Sequence, residues 1–318
     1  MFSIPDEHQN INKKLYLCIF KTFVINQEVI IEQELKTPSK VKDYVMLLKL
    51  RLSFLVVLSA ISGYFFAGGS FGLNFIYLVI GGFSITGASN AFNQIIERDI
   101  DKKMPRTANR PLPTGRMSVT EAMIASFAFG ILGIFLLYQI NFYAAVLGLL
   151  SLFMYVFLYT PMKRITPWAV FIGAFPGAIP PMLGAVAASG EFGMFAGIMF
   201  FVQFIWQFPH FWAIAWVLDD DYKKGGFSLL PSKGRKNKTS ATWILVSAFI
   251  MIPAGILPYI YEQTGTISLI IGTLAGIGFF AIALQFYITK EDKLARKLMF
   301  ASFFYLPIIQ FLYVFNQI

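Results

Sequence analysis

The chain has 318 residues, of which 57% are hydrophobic and only 14% are charged. This composition is too apolar for an ordinary soluble domain and is typical of a membrane protein with several spans. Its single cysteine, Cys18, excludes an intrachain disulfide and a thiolate metal cluster. The formal net charge of +9 does not require a nucleic-acid partner, because the placement of the basic residues is explained by membrane topology.

Apolar segments of about 20 residues predict transmembrane helices, since the hydrocarbon core of a bilayer is about 30 Å thick. All 26 Lys and Arg residues lie before the first such segment or in every second connection. The positive-inside rule therefore predicts a cytoplasmic N-terminus and a C-terminus on the far side, which requires an odd number of spans. The predicted fold class is an all-α integral membrane protein with nine transmembrane helices. The predicted spans are 52–68, 73–96, 119–139, 142–160, 167–188, 193–217, 241–261, 266–288 and 298–315.

Residues 1–40 are interpreted as an N-terminal extension on the cytoplasmic side, and residues 41–318 as a single membrane domain. The stretch "KKLYLCIFKTFVINQEVII" at 13–31 fits either a helix lying on the membrane surface or a tail without a role. Neither a transit peptide nor a cleavable signal is expected there, because the stretch 1–40 contains no Arg and several acidic residues.

The end of the second span carries the first acidic motif. Asn93, Glu97 and Asp101 are spaced four apart, which places them on one face of a helix that continues out of the span. Met104-Pro105 is expected to end this helix. Carboxylate and amide oxygens are the ligands that Mg²⁺ prefers. The alternative is a solvated helix end on which the acids pair with neighbouring bases such as Arg98 or Lys102.

A second acidic motif, "LDDDYKKGGFSLLP" at 218–231, follows the sixth span on the same predicted side of the membrane. Three successive aspartates end at Asp221. Lys223 and Lys224 follow and are candidates to donate hydrogen bonds to a phosphate group. Two acidic clusters held close together repel each other, and a bound divalent cation would remove that repulsion. The alternative is an ordinary charged loop.

Basic residues are expected to form a rim around these acids. Arg106, Arg110 and Arg116 follow the first motif, and Lys163-Arg164 lies in the connection after the fourth span. Guanidinium groups bind phosphate oxygens through two parallel hydrogen bonds. The alternative is that these bases only mark the cytoplasmic side.

His210 lies among aromatic residues in "QFIWQFPHFWAIAW" at 203–216, together with Trp206 and Trp212. Ionisable residues within a span usually face a cavity or a pathway. Aromatic rings attract cations, so this group could stabilise a carbocation or pack on a flat macrocycle. The alternative is a neutral histidine that is hydrogen-bonded between two helices.

Span 5 contains three prolines, Pro176, Pro180 and Pro181. Proline removes a backbone donor, so these residues are predicted to break the span. Broken helices at membrane depth occur where protein or a cavity satisfies the freed backbone.

Taken together and in order, these motifs closely resemble those of the protohaem IX farnesyltransferase family, within the UbiA-type superfamily of intramembrane prenyltransferases. The resemblance runs from about Val41 to the C-terminus. It departs from the family at Lys49-Leu50-Arg51, where Lys-Pro-Arg is usual, and at Val217, where the wider superfamily has an acid. The segments that carry it are Asn93-x3-Glu97-x3-Asp101, "DKKMPRTANRPLP", "YTPMKRITPW", "GAIPPMLG", "WQFPHFWAIA" and "DYKKGGFSLLP".

The resemblance implies nine helices around a central cavity that opens to lipid, with Mg²⁺ bridging a prenyl diphosphate to the two acidic motifs. The implied reaction converts farnesyl diphosphate, haem B and water into haem O and pyrophosphate. The implied catalytic residues are Asn93, Glu97, Asp101 and Asp221, and Asp220 joins these four as an implied metal ligand. The predicted substrate-binding residues are Arg106, Arg110, Lys163, Arg164, Lys224, His210, Trp206 and Trp212.

The expected location is the bacterial cytoplasmic (inner) membrane, with the active site on the cytoplasmic side. The partners implied besides the substrates are membrane lipid and a downstream haem A synthase or terminal oxidase. Two alternatives stay open from the residues: a prenyltransferase that acts on an aromatic acid or quinone precursor, and a small-solute transporter.

Overall fold

The computed structural model describes residues 39–318, so the expectations for Cys18 and for the segment 13–31 lie outside the described residues. The compact unit that carries the site is Val45–Ile318. Within 39–318 the chain is helical, and its only β-type pairing is an isolated bridge between Thr264 and Gln317. The prediction of an all-α fold is confirmed.

Twelve α-helices and one π-helix follow one another along the described chain. They are α1 (Lys40–Leu47), α2 (Leu50–Phe66), α3 (Leu73–Asp101), α4 (Val119–Ile140), α5 (Phe142–Phe153), the π-helix (Met154–Tyr159), α6 (Thr160–Met162), α7 (Ala169–Ser189), α8 (Met194–Val217), α9 (Asp219–Lys224), α10 (Lys238–Ile260), α11 (Thr266–Thr289) and α12 (Asp292–Phe315).

Eight helical segments in the described part of the chain are long and apolar enough to cross a membrane, and α1 with α2 supplies a ninth when the two are counted as one span. Each predicted span coincides with one of these segments. The fourth consists of α5, the π-helix and α6 in succession. The helix of the second span runs past residue 96, where the predicted span ends, to Asp101, as the spacing of the acidic motif predicted. The apolar stretch ends at the first charged residues. The helix continues beyond them because its polar side chains there have hydrogen-bond or ion-pair partners.

Side-chain caps fix where several of the apolar helices begin. The Ser118 hydroxyl accepts from the Glu121 backbone N–H at 3.0 Å, and the Asn141 amide oxygen accepts from the Ala144 N–H at 2.8 Å. Asn237 caps α10 in the same way. These caps satisfy backbone donors that a helix start leaves without an intrahelical partner.

The helices bury two apolar cores. In one, α2, α3, α4, α5 and α7 pack together around Ile85, Leu137 and Val186. In the other, α8, α10, α11 and α12 pack around Met199, Met251 and Leu298. The pairs α7–α8 and α2–α12 connect the two groups of helices.

Helix α7 is continuous from Ala169 to Ser189, so the prediction that its prolines break the span was wrong. Pro181 cannot donate to the carbonyl of Gly177, and Gln203 Nε2 of α8 donates to that oxygen instead at 2.7 Å. Pro180 likewise leaves the Pro176 carbonyl without its helical donor, and Ser151 Oγ reaches it at 3.2 Å. Side chains of neighbouring helices thus donate to the carbonyls that the prolines leave without a partner, and the helix remains continuous.

Helices α2 and α7 cross at backbone contact because both carry glycine at the crossing. A Cβ atom added to Gly184 would collide with the Ala60 carbonyl oxygen, and one added to Gly63 would collide with that of Pro181. Small residues allow this close approach, which is a common basis of helix association in membranes.

The crossing predicts that Gly184→Ala destabilises the protein, by about 1–3 kcal/mol, because the methyl group forces two helix backbones apart. The matched control is Gly197→Ala on α8, where an added Cβ meets nothing within 4 Å. Thermal unfolding in detergent measures both. Equal melting temperatures for the two variants would contradict the close crossing.

Candidate active site

The first acidic motif lies on one face of α3, as its spacing predicted. Asn93, Glu97 and Asp101 are all buried, whereas Arg98 and Asp99 on the opposite side of the helix are exposed. The Asn93 amide donates to the Thr160 hydroxyl at 3.2 Å, which ties the motif to the end of the fourth span. The helix ends at Asp101, just before Met104-Pro105.

The partners of the two carboxylates come from distant segments, not from their neighbours on the helix. Lys163 Nζ lies 2.5 Å from Glu97 Oε1, and Arg110 Nη1 donates to Asp101 Oδ2 at 2.6 Å. Arg98 and Lys102 pair with Asp99 on the surface instead. The alternative of a solvated helix end therefore does not describe this face.

The second acidic motif forms the short helix α9, on which successive side chains point in different directions. Asp219 is buried and accepts from Lys223 Nζ at 2.7 Å, whereas Asp220 is exposed. Asp221 turns toward the first motif, where its Oδ2 lies 3.4 Å from Arg106 Nε. Of the two predicted ligands, the structure therefore brings Asp221 to the site and leaves Asp220 at the surface.

Tyr222 shows that the two motifs share one electrostatic environment. Burial raises the pKa of its phenol, Arg106 opposes that rise, and the charges of Glu97 and Asp221 add to it. The Arg106 guanidinium also lies over the Tyr222 ring, 5.8 Å from its centroid. The phenol is therefore a neutral hydrogen-bond donor at physiological pH.

Lys49 is a site residue that the sequence analysis did not assign. Burial lowers the pKa of its ammonium group to about 7. The nearby charges of Arg110 and Lys163 lower it as well, and those of Glu97 and Asp101 oppose that shift. It adopts a left-handed backbone conformation, with φ of 47°, at the start of α2. Such conformations in residues other than glycine are uncommon and concentrate at functional sites. Its position before the first span, on the predicted side of both motifs, was the available signal.

A central cavity of about 210 Å³ begins beside the first motif and runs into the helix bundle. Asn90, one turn before Asn93 on α3, lines its polar end. Tyr155 and Tyr159 of the π-helix and Phe211 of α8 form aromatic walls. The Lys163 ammonium lies 5.0 Å from the centroid of the Tyr159 ring, so the ion pair with Glu97 is at the cavity's end.

The two tyrosines that line the cavity, Tyr155 and Tyr159, both lie in the π-helix. Single turns with five-residue hydrogen bonds are rare and often occur at functional sites. Here the Thr160 hydroxyl donates to the Tyr155 carbonyl at 2.8 Å and accepts from Asn93, which fixes the turn against the acidic motif. The sequence analysis did not identify these tyrosines.

The aromatic group around His210 lies elsewhere. His210 Nδ1 is 2.7 Å from Ser302 Oγ on α12, and its ring stacks on Trp206 with a centroid distance of 4.3 Å. Among the described residues, α8 contributes Phe211 to the wall of the central cavity, and neither His210 nor Trp212 belongs to that wall. Contact of these three side chains with haem stays a prediction. Arg164 and Lys224 are exposed, and their binding to phosphate also stays a prediction.

The donors present fit a magnesium ion that binds together with a diphosphate. Asp101 Oδ1 is buried and has no hydrogen-bond partner among residues 39–318, and Asp221 Oδ2 is buried with the Arg106 guanidinium 3.4 Å away. Across the described residues 39–318, no group of three or more His, Cys, Asp or Glu side chains is placed to hold a metal ion by itself. Mg²⁺ commonly takes one or two carboxylates and completes its shell with water and substrate phosphate. The assignment of Asn93, Glu97, Asp101, Asp220 and Asp221 as ligands stays a prediction.

The fold is a bundle of helices long and apolar enough to span a membrane, with buried acids and bases near an apolar cavity. Residues 56–306 match the UbiA prenyltransferase family, and the chain belongs to that family. It is a membrane prenyltransferase, which confirms the predicted enzyme class and leaves the transporter alternative without support.

Relatives of this chain agree with this class. A protoheme IX farnesyltransferase from Cytophaga hutchinsonii is 47% identical over 283 residues, which cover 88% of this chain and 99% of the relative. One from Christiangramia forsetii is 46% identical and covers 88% of this chain and 94% of the relative.

Solved structures show the same fold at lower identity. A structure of digeranylgeranylglyceryl phosphate synthase is similar with a TM-score of 0.74 at 20% identity, and covers 87% of this chain and 98% of that one. A UbiA homologue from Archaeoglobus fulgidus, solved with GPP and Mg²⁺, has a TM-score of 0.60 at 15% identity, with 86% and 99% covered.

The site predicts that Asp101→Asn lowers prenyl transfer by about 100-fold or more, because it removes the carboxylate that pairs with Arg110 and that would hold the Mg²⁺ on the leaving diphosphate. Asp99→Asn is the matched control, since Asp99 is exposed two residues away and pairs only with surface bases. Turnover is measured in membranes at equal amounts of folded protein. Similar turnover in both variants would remove Asp101 from the site.

Proposed function

We propose that the enzyme transfers a farnesyl group from farnesyl diphosphate to a vinyl group of haem B, and that this gives haem O and pyrophosphate in a Mg²⁺-dependent reaction. One observation carries the proposal: the ion pair of Arg106 with Asp221 brings the loop after α3 to α9, and Asn90, one turn before Asn93, lines an apolar cavity. The names of the relatives support farnesyl as the donor group and haem as the acceptor.

The bases of the site bind and stabilise the diphosphate. Arg106, Arg110 and Lys163 pair with the carboxylates, so a diphosphate placed there accepts hydrogen bonds from several charged donors. The same donors stabilise the negative charge that grows on the oxygen as the C–O bond breaks. Mg²⁺, when bound through carboxylates such as Asp101 and Asp221, would neutralise further charge on the leaving group.

The walls of the central cavity stabilise the farnesyl fragment. Breaking the C–O bond leaves an allylic farnesyl cation, and the ring faces of Tyr155 and Tyr159 attract such a charge. The apolar lining excludes water until a vinyl carbon of haem B attacks the cation and forms the new C–C bond. Water then adds to the resulting cation beside the porphyrin ring and loses a proton, which gives the hydroxyethylfarnesyl group.

The finer assignments belong to the same proposal. Lys224 and Arg164 would assist diphosphate binding, and His210 with Trp206 would contact haem at the edge of α8. The site would face the cytoplasm in the bacterial inner membrane, as the charge distribution of the loops indicates. A haem A synthase or a terminal oxidase would use the product.

The role of the tyrosines is tested by Tyr159→Leu, which we expect to lower kcat about tenfold, because a cation–π contact of 1–2 kcal/mol is lost. The KM for farnesyl diphosphate should rise much less than kcat falls, because Lys163 loses its contact with the ring but keeps its ion pair with Glu97. Tyr159→Phe is the matched control and should keep most of the activity, because it retains the ring. A Phe variant as slow as the Leu variant would assign the effect to the hydroxyl instead.

The reaction itself is tested with membranes that contain the full chain, supplied with farnesyl diphosphate, haem B and Mg²⁺. We expect haem O by extraction and mass analysis, with equimolar pyrophosphate. Chelation of divalent ions should abolish both products, and added Mg²⁺ should restore them. Pyrophosphate release with 4-hydroxybenzoate but not with haem B would replace haem by an aromatic acid as the acceptor.

A further inference from the structure

A second cavity, of about 250 Å³, lies between α7, α8 and α10. Helices α7 and α10 both pack against α8 but make few contacts with each other, which leaves a crevice over α8. Phe208 and Trp212 form its floor, and Phe171 and Val246 form its sides. It shares no lining residue with the central cavity, so a molecule bound here does not occupy the reaction site.

Trp212 gives this lateral cavity a specific polar feature. The side chain lines the cavity and is 8% exposed, and its Nε1–H has no hydrogen-bond partner among residues 39–318. Buried tryptophan usually satisfies this donor, as Trp216 one turn later does by donating to Asp292 Oδ1 at 2.9 Å. An unpaired buried donor is costly, which indicates that an acceptor reaches it from the cavity.

The rim of the lateral cavity faces the surroundings of the bundle and is flanked by bases. Trp168 and Trp243, two of its lining residues, are 65% and 46% exposed. Pro167 and Pro231 close the end nearest the loops. Arg164 and Lys233 are exposed and lie three and two residues from these prolines, which is at most about 11 Å along the chain.

We propose that the lateral cavity binds an anionic membrane phospholipid. One acyl chain occupies the apolar crevice, an ester carbonyl accepts from Trp212 Nε1, and the phosphate lies near Lys233. Basic pockets between transmembrane helices on the cytoplasmic side favour anionic headgroups. Exposed tryptophans at the rim fit the level of the lipid headgroups.

The size and the surroundings of the lateral cavity favour a lipid chain over haem. Pockets that enclose whole drug-sized ligands measure about 300–1,000 Å³, and the 250 Å³ of this crevice suits a segment of a chain instead. Its exposed aromatic rim opens to the side of the bundle, where lipid is the adjacent molecule.

The test measures lipid affinity of the purified full chain in detergent by native mass spectrometry, with thermal unfolding as a second readout. The probes are phosphatidylglycerol and phosphatidylcholine that carry the same acyl chains. Wild type should bind phosphatidylglycerol more tightly and gain a higher melting temperature from it. Trp212→Phe should bind both lipids about fivefold more weakly, because one hydrogen bond is lost.

Three further variants keep the test decisive. Trp216→Phe, the matched control four residues away, should leave lipid affinity unchanged. Lys233→Gln should reduce the preference for phosphatidylglycerol, and Ser247→Leu, which fills the cavity wall, should weaken both lipids even if Trp212→Phe fails to fold. Wild-type lipid affinity in Trp212→Phe or in Ser247→Leu would overturn the proposal, as would equal affinity for the two lipids or displacement of lipid by haem.

Discussion

The ion pairs of Glu97 with Lys163 and of Asp101 with Arg110 join three distant segments of the chain at the end of α3. A buried charge without a partner costs several kcal/mol, so each carboxylate requires its base, and each base requires its carboxylate. The loop after α3 and the connection after the fourth span are therefore held together at one place. The result is a site in which bases are already collected and Asp101 Oδ1 is left available for a further ligand.

The same requirement shapes the apolar part of the bundle. Because α3 continues to Asp101, Asn90 at the cavity wall and the acidic motif lie on consecutive turns of one helix. The π-helix places Tyr155 and Tyr159 on the cavity wall and is fixed by Thr160, which also holds Asn93. A polar leaving group and an apolar chain thus meet at one boundary, which is what transfer of a prenyl group needs.

Helix α7 shows how the bundle tolerates local conflict. Three prolines remove backbone donors, yet side chains from α5 and α8 bind the freed carbonyls, and glycines let α2 approach closely. On its other side, α7 does not close against α10, and this gap forms the lateral cavity. The helix therefore separates two apolar spaces, one at the reaction site and one that faces the membrane.

The sequence by itself determined the spans, the common face of Asn93, Glu97 and Asp101, and the presence of two acidic motifs, because hydropathy and helical spacing are local properties. It did not determine which bases pair with the acids. In the structure the partners are Lys163 and Arg110, not the neighbouring Arg98 and Lys102. Only the tertiary structure decides this pairing, because a buried carboxylate pairs with the base that packs beside it in the interior, even when that base is distant in the sequence. The direction of Asp221 and the positions of Lys49 and the π-helix tyrosines depend on the same packing, which no local pattern encodes.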